Sequence, residues 1–410
     1  MYSRATLLCG FFSLLTFSGI SQSFSTFSSG TGVFYPTSDW ADFNNDGYLD
    51  LLVTGNTGSS NVNSNPNPGG ATLLYQNQNG TGFTEVQSTL IPGLPALSNS
   101  AVAWGDFNQD GWIDFAISGN QGGVKKTLLY KNNGPDQNFS FSQTTNWFPG
   151  LEYGSISWND FNNDGYPDLF LSGLDSLKQE RSLLFSNNGP DQGFSFSQLN
   201  TALIGFQKGS SDWADYNHDG FDDLLLTGIN KTYTTLNSNN HTSTPYLYGG
   251  TLIYTNFGNG EFQLASFNCN PNGNGNLGYL GNAVWGDFNN DGYADLISVG
   301  SEYGSSALFK NNQNGSFSAM NGTGIPALNT GRARCADYNN DGWLDLAITG
   351  MGASQGGLFT LVENVYINNK NNTFSGTSNA GLAYVYYSDL NWADFDNNGH
   401  LDLPVSCGCQ

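Results

Sequence analysis

DFNNDGYLD, residues 42–50, is the stretch on which the reading of this chain turns, because it recurs along the whole sequence. Further copies begin at Asp106, Asp160, Asp215, Asp287, Asp337 and Asp394, at separations of 64, 54, 55, 72, 50 and 57 residues. That spacing is too regular for chance and too long for a helical-repeat array, so it predicts a repeat architecture of the propeller type. Each copy carries oxygen-bearing side chains at positions 1, 3, 5 and 9 and a glycine at position 6. Hard oxygen donors at alternate positions suit calcium, which takes about six to eight of them, and the glycine lets the backbone reverse around the ion.

The candidate ligands are Asp42, Asn44, Asp46 and Asp50, with the backbone carbonyl of Tyr48 at position 7. The next three copies offer Asp106, Asn108, Asp110 and Asp114 with Trp112; Asp160, Asn162, Asp164 and Asp168 with Tyr166; and Asp215, Asn217, Asp219 and Asp223 with Phe221. Then come Asp287, Asn289, Asp291 and Asp295 with Tyr293, and Asp337, Asn339, Asp341 and Asp345 with Trp343. The last copy, Asp394, Asp396, Asn398 and Asp402 with His400, exchanges Asp and Asn at positions 3 and 5 but keeps three carboxylates. An EF-hand needs a bidentate Glu at position 12, whereas Val53, Ile117, Leu171, Leu226, Ser298, Ile348 and Val405 stand there. Asp, Asn and Gly also dominate metal-free turns, but one copy would suffice for a turn and seven share these oxygens. Crowding three carboxylates is costly without a cation, so folding is expected to couple to calcium in up to seven sites.

After each loop an apolar run ends in Gly, as in LLVTG from Leu51 or LFLSG from Leu169, and reads as a buried strand. A second pattern follows, such as TLLYQN (residues 72–77) or TLIYTN (residues 251–256), and then a Phe-led segment, FTEVQ from Phe83 or FSFSQ from Phe139 and Phe194. Ahead of each loop lies a small-residue strand with Trp40, Trp104, Trp158, Trp213, Trp285 or Trp392 two residues before the first Asp, replaced by Cys335 in the sixth copy. We name these strands A (Trp), B (apolar run), C (LLY) and D (Phe-led). Four strands per repeat make a propeller blade, and the loop becomes the A–B turn. The expected fold is therefore all-β: a seven-bladed β-propeller with calcium-binding A–B hairpin loops, its ring closed by an N-terminal strand D, FSTFSS (residues 24–29). The seventh blade is expected to be abbreviated or truncated, since no strand C follows residues 403–405.

These loops and runs resemble FG-GAP/VCBS repeats, the blades of integrin alpha-subunit propellers and of many secreted microbial proteins and some lectins. The resemblance covers residues 24–406 and implies the fold and calcium, while the fold hosts many activities. The loop stands in all seven repeats rather than a subset, and no stalk or span follows, so an integrin subunit is not expected.

Residues 1–22 carry Arg4, an apolar stretch over residues 7–17 and small residues thereafter, which reads as a secretory signal peptide ahead of a propeller over residues 23–410. The net charge of −22 arises largely in the loops, whose ligand positions hold 21 of the 34 acidic residues. With 12 Lys and Arg, neither nucleic acid nor direct membrane insertion is expected. Beyond Cys9, Cys269, Cys335, Cys407 and Cys409 permit three pairings, with a solitary Cys335 as the alternative. Seven N-glycosylation sequons fit a secreted chain but arise readily in so Asn-rich a sequence.

Because strands alternate direction, the B–C and D–A loops emerge opposite the calcium loops. Loops on a rigid scaffold commonly carry binding, so Trp147, Phe148, Tyr153, Tyr246, Tyr248 and Tyr279 are the candidate ligand contacts. The function expected is a secreted calcium-binding propeller that acts as a binding or adhesion module for a glycan or extracellular protein. Alternatives are a non-catalytic scaffold domain of a longer extracellular protein, or a polysaccharide lyase or hydrolase. For the last, glycoside hydrolysis needs two carboxylates across one cleft, which Glu152 and Glu302 near that face could in principle supply.

Overall fold

The computed structural model describes residues 12–13, 33–57, 69–230, 248–266, 277–301, 304–352, 361–377, 386–403 and 405–408. The chain is an all-β β-propeller, and its described residues form six four-stranded antiparallel blades, each with its strands in the order A-B-C-D. The first blade is Phe34–Ala41, Asp50–Thr57, Gly69–Asn77 and Phe83–Glu85. A further sheet of three strands pairs Tyr386–Leu390 with Val405–Gly408, and the latter with Phe12–Ser13. Residues 24–29, expected to supply the closing strand, lie outside the described residues.

Strand B reads as an unbroken apolar run because both of its faces are buried. Leu52 points into the core shared with the second blade, beside Val102, Trp104 and Phe115. Its neighbours Leu51 and Val53 point the other way, to Trp40, Leu73 and Tyr75. Phe170 and Leu169 divide likewise between the cores toward the fourth and second blades. Burying a side chain of this size stabilises the fold by about 1.5–3 kcal/mol, so each strand B contributes to the cores on both of its sides.

Strand A is one edge of each sheet, and its free N–H groups would be a liability if left bare. Side chains of adjacent blades cover them. Asp39 Oδ2 accepts from the N–H of Trp104 at 2.9 Å, Asp212 Oδ2 from that of Trp285 at 2.9 Å, and Asp389 Oδ2 from that of Ser38 at 2.8 Å. Three of the strand A indoles reach back to the adjacent blade's backbone: Trp104 Nε1 donates to Asp39 O, Trp158 Nε1 to Ala103 O and Trp392 Nε1 to Arg334 O. Cys335 keeps the same contact with its thiol, 3.3 Å from Trp285 O. It is a free thiol pushed up to about 12 by burial; Cys269, Cys409 and the side chain of Cys407 lie outside the described residues.

Strand D begins two residues later than the FSFSQ pattern suggests, at Phe141 and Phe196. Phe139 and Phe194 stand in the preceding turn at φ +53° and +54°. Their rings pack edge-on against the loop aromatics Trp112 and Tyr166, at 5.5 and 6.1 Å. A period-2 pattern cannot separate such a turn residue from the strand it precedes.

Candidate metal centres and the opposite face

Every copy of the nine-residue loop turns on its own side chains. In the first, Asp42 Oδ1 accepts from Asp46 N at 2.9 Å and Oδ2 from Gly47 N at 2.6 Å, while Asn44 Oδ1 also accepts from Asp46 N. Asp46 Oδ1 accepts from Tyr48 N at 2.9 Å. The bonds from Asp42 and Asp46 recur at Asp160 and Asp164 and at Asp215 and Asp219. Glycine at position 6 is required by conformation rather than by space: Gly47 has φ +90° and a Cβ there would meet nothing within 4 Å.

Position 9 closes each loop from beneath. Asp50, Asp114, Asp223, Asp345 and Asp402 are all 0% exposed. Asp114 Oδ2 and Asp402 Oδ1 are buried with no hydrogen-bond partner. Burial first, then the nearby carboxylates at positions 5 and 1, push Asp50 and Asp114 up to about 8, against hydrogen bonds that lower them. Asp402 is pushed up to about 8 by burial and by Asp396 and Asp394. Asp394, Asp396 and Asp402 bring one carboxylate oxygen each within 4.8 Å of one another. A buried oxygen without a donor, facing two further carboxylates, is costly unless a cation completes it. The residues present therefore fit a hard, oxygen-seeking metal ion.

Three links that sequence reasoning missed join each loop to the next blade. At position 2, Phe43 stacks on Trp104 at 6.5 Å and Tyr216 on Trp285 at 5.7 Å. The terminal Asn of strand C donates to the position 2 carbonyl of the preceding loop: Asn132 Nδ2 to Phe43 O and Asn187 Nδ2 to Phe107 O at 2.8 Å, and Asn256 Nδ2 to Phe161 O at 2.7 Å. The same Asn residues donate their backbone N–H to Oδ1 of Asp114, Asp168 and Asp223. Position 4 reaches forward: Asn45 Nδ2 donates to Gly111 O at 3.1 Å, Asn163 Nδ2 to Gly220 O at 2.7 Å and Asn290 Nδ2 to Gly342 O at 2.8 Å. The first and last copies are joined in the same two ways, Asn77 Nδ2 to Phe395 O at 2.8 Å and Asn397 Nδ2 to Gly47 O at 2.5 Å. The signal was present in the sequence as the Asn ending TLLYQN, TLLYKN and SLLFSN. It looked like ordinary turn chemistry.

The candidate ligand contacts separate. Trp147 is 78% exposed, whereas Phe148 is 4% exposed, packed edge-on against Phe185 and Phe196 at 5.1 and 5.5 Å. Phe148 is thus part of the core and offers nothing at the surface. Tyr153 is half-buried, with the Lys208 ammonium 5.0 Å from its ring centroid. Tyr246 and the side chains of Tyr248 and Tyr279 lie outside the described residues. Glu152 is buried and fully engaged: Lys125 Nζ stands 3.0 Å from Oε1, and Asn99 Nδ2 and Asn120 Nδ2 donate to Oε2. It ties the second blade to the third, where Glu152 bridges to Leu174, and Glu302 lies outside the described residues.

The FG-GAP-like repeat matches residues 42–117, 106–171, 160–226 and 287–348, together more than half of the chain. The chain belongs to the FG-GAP-like repeat family. Its FG-GAP repeats are also similar in sequence to integrin alpha-3 of Cricetulus griseus, 32% identical over 145 residues, and of Mus musculus, 31% identical over 145 residues. Those stretches cover 33% of this chain and 13% of either integrin, so the chain matches a small part of its curated relatives. Among solved structures, an Agrocybe aegerita lectin, described for its recognition of non-reducing terminal N-acetylglucosamine, aligns with 16% identity over 83% of this chain and 78% of its own, at a TM-score of 0.49. A β-xylosidase aligns with 11% identity over 70% of this chain and 96% of its own, at a TM-score of 0.36. No helix among the described residues is long and apolar enough to cross a membrane, which says nothing of β-barrels.

Proposed function

We propose that this FG-GAP propeller is a calcium-stabilised binding module that works outside the cytosol, with residues 1–22 as its signal peptide, whose removal would take away the Phe12–Ser13 pairing with Val405–Gly408, and residues 23–410 as the propeller. The observation that carries the calcium reading is the buried, unpartnered carboxylate oxygen at position 9 of Asp114 and Asp402. In each loop positions 1, 3, 5 and 9 would hold the ion with the position 7 carbonyl, which in the second copy would be Asp106, Asn108, Asp110, Asp114 and the carbonyl of Trp112. Calcium supplies the positive charge that lets three carboxylates share one loop. The chain's own residues do the rest: position 9 anchors the strand C Asn, and position 2 carries the next blade's Trp. Metal in the loop would therefore stiffen the joint between blades.

A ring of seven blades is supported by the bonds between the first and last copies, Ser38 N to Asp389 Oδ2 and Asn391 Nδ2 to Ser38 O at 2.7 Å. Ligand recognition is assigned to the B–C and D–A connections, where exposed Trp147 offers a flat apolar ring for a sugar or a protein side chain. Glycan arrays and cell-surface binding with calcium-loaded protein test this assignment. Binding lost in Trp147→Ala would support it, and arrays that stay blank with the folded, loaded protein would remove it.

A further inference from the structure

The loops are alike in their ligands but differ in what stands beside position 5. In three of them it is an ammonium group. Lys131 Nζ lies 2.9 Å from Asp110 Oδ2, Lys310 Nζ 3.1 Å from Asp291 Oδ2 and Lys370 Nζ 3.3 Å from Asp341 Oδ2. In the first and fourth copies the same oxygen, of Asp46 and Asp219, accepts from the neutral amides of the loop's own Asn44 and Asn217, at 2.9 and 3.0 Å. Strand C accounts for the difference. Lys131 and Lys310 directly precede its terminal Asn, where the first, third and fourth copies carry Gln76, Ser186 and Thr255. Lys370 reaches its carboxylate from the C–D turn instead.

A lysine at a ligand oxygen acts on an incoming cation twice. It has to release the oxygen, and after release its charge stays tethered within a few ångströms of the ion. Both effects oppose binding of a divalent cation; a neutral amide also has to release the oxygen, but the bond it gives up is weaker and no charge stays beside the ion. The lysine side chains are 43%, 38% and 47% exposed, so water screens the repulsion without abolishing it. Both kinds of loop are built to take a cation, because Asp114 with a lysine nearby and Asp402 without one each hold a buried oxygen that accepts no hydrogen bond.

Resting on the calcium reading above, we propose that these lysines divide the loops into two affinity classes. The loops beginning at Asp42, Asp160, Asp215 and Asp394 fill first. Those at Asp106, Asp287 and Asp337 fill at calcium concentrations roughly three- to tenfold higher. The lysines also make an ion-free loop tolerable by neutralising part of its charge, so the second class can empty and refill while the first stays loaded.

The test is calorimetric titration of calcium chloride into the full chain after chelation and dialysis. The wild type should show two classes, and K131Q/K310Q/K370Q should merge them by moving the weaker phase roughly three- to tenfold tighter. Gln76→Lys should do the reverse, shifting one site from the tight to the weak class. A single class in the wild type, or a weak phase unmoved in the triple variant, overturns the proposal and leaves the calcium reading standing. Absence of both binding heat and any thermal shift with calcium overturns both. Should the triple variant lose its β circular dichroism, Gln76→Lys decides alone: one site moved to the weak class sustains the proposal, and none moved ends it.

Discussion

On the loop face, glycine at position 6 holds φ between +83° and +93° in every copy from Gly47 to Gly399. Along the connection from the second blade to the third two successive residues, Trp147 and Phe148, are 78% and 4% exposed. The first region repeats because its geometry is set within nine residues, by carboxylates that bond to their own backbone. The second varies because each loop finishes against whichever blade lies beside it. The difference teaches where repetition can be trusted: local chemistry copies faithfully from repeat to repeat, and packing does not.

The largest effect that would break this comparison is removal of the metal. If the loops are calcium sites, chelation should lower the melting temperature of the chain by at least about 10 °C, since each site filled at about 100-fold over its dissociation constant contributes about 2.7 kcal/mol. Differential scanning calorimetry in millimolar calcium and in EDTA reads this directly. Unchanged melting would reduce the loops to metal-free turns.

Phe148→Ala comes next, at about 3–5 kcal/mol in denaturant unfolding, because a large ring is lost from a closed core. A value under about 1 kcal/mol would return Phe148 to the surface. Asn187→Ala should cost about 2–3 kcal/mol, since its amide bonds Phe107 O and Pro167 O and its carbonyl accepts from Gly189 N. The loss should appear as much in EDTA as in calcium if the Asn acts as a joint rather than as part of a metal site.

Asp39 lies beneath the loop face and gives a pH signature. Burial raises its carboxyl to about 6, against hydrogen bonds from the N–H groups of Trp104 and Trp40; Asp389 adds to the rise and Arg334 opposes it. The folded state thus holds the proton more tightly than the unfolded chain. The stability this brings is complete below about pH 4 and is lost as pH climbs through about 6. Asp39→Asn keeps an acceptor for Trp104 N and should stabilise the protein by about 1–2 kcal/mol at pH 8, the gain vanishing near pH 4. Melting curves of both proteins against pH decide it.

The smallest effect is on Trp147→Ala, under about 0.5 kcal/mol of stability. Set beside its neighbour, this substitution sharpens the contrast between a side chain held by packing and one left for a partner.

The blade pattern was legible because strand B must be apolar on both faces and the loop must carry oxygen at fixed positions. Strands A, B and C stand close to where the patterns of Trp40, Leu51 and TLLYQN suggest. The start of strand D was not legible at Phe139 and Phe194, because a left-handed turn residue looks like a strand residue in a string of Phe and Ser. Nor was the fate of Trp147 and Phe148, which the sequence presents as one aromatic pair.

By itself the sequence determined the repeat, the order of strands within a blade and the oxygen-bearing loop, since these depend on periodicity and on contacts a few residues apart. Only the tertiary structure decided what joins one repeat to the next. Asn132 on Phe43, Asp39 on Trp104 and Asn397 on Gly47 bring together residues 89, 65 and 350 positions apart. The same holds for which carboxylates meet a lysine. No local rule specifies such pairings, because they come into being when one blade is pressed against another.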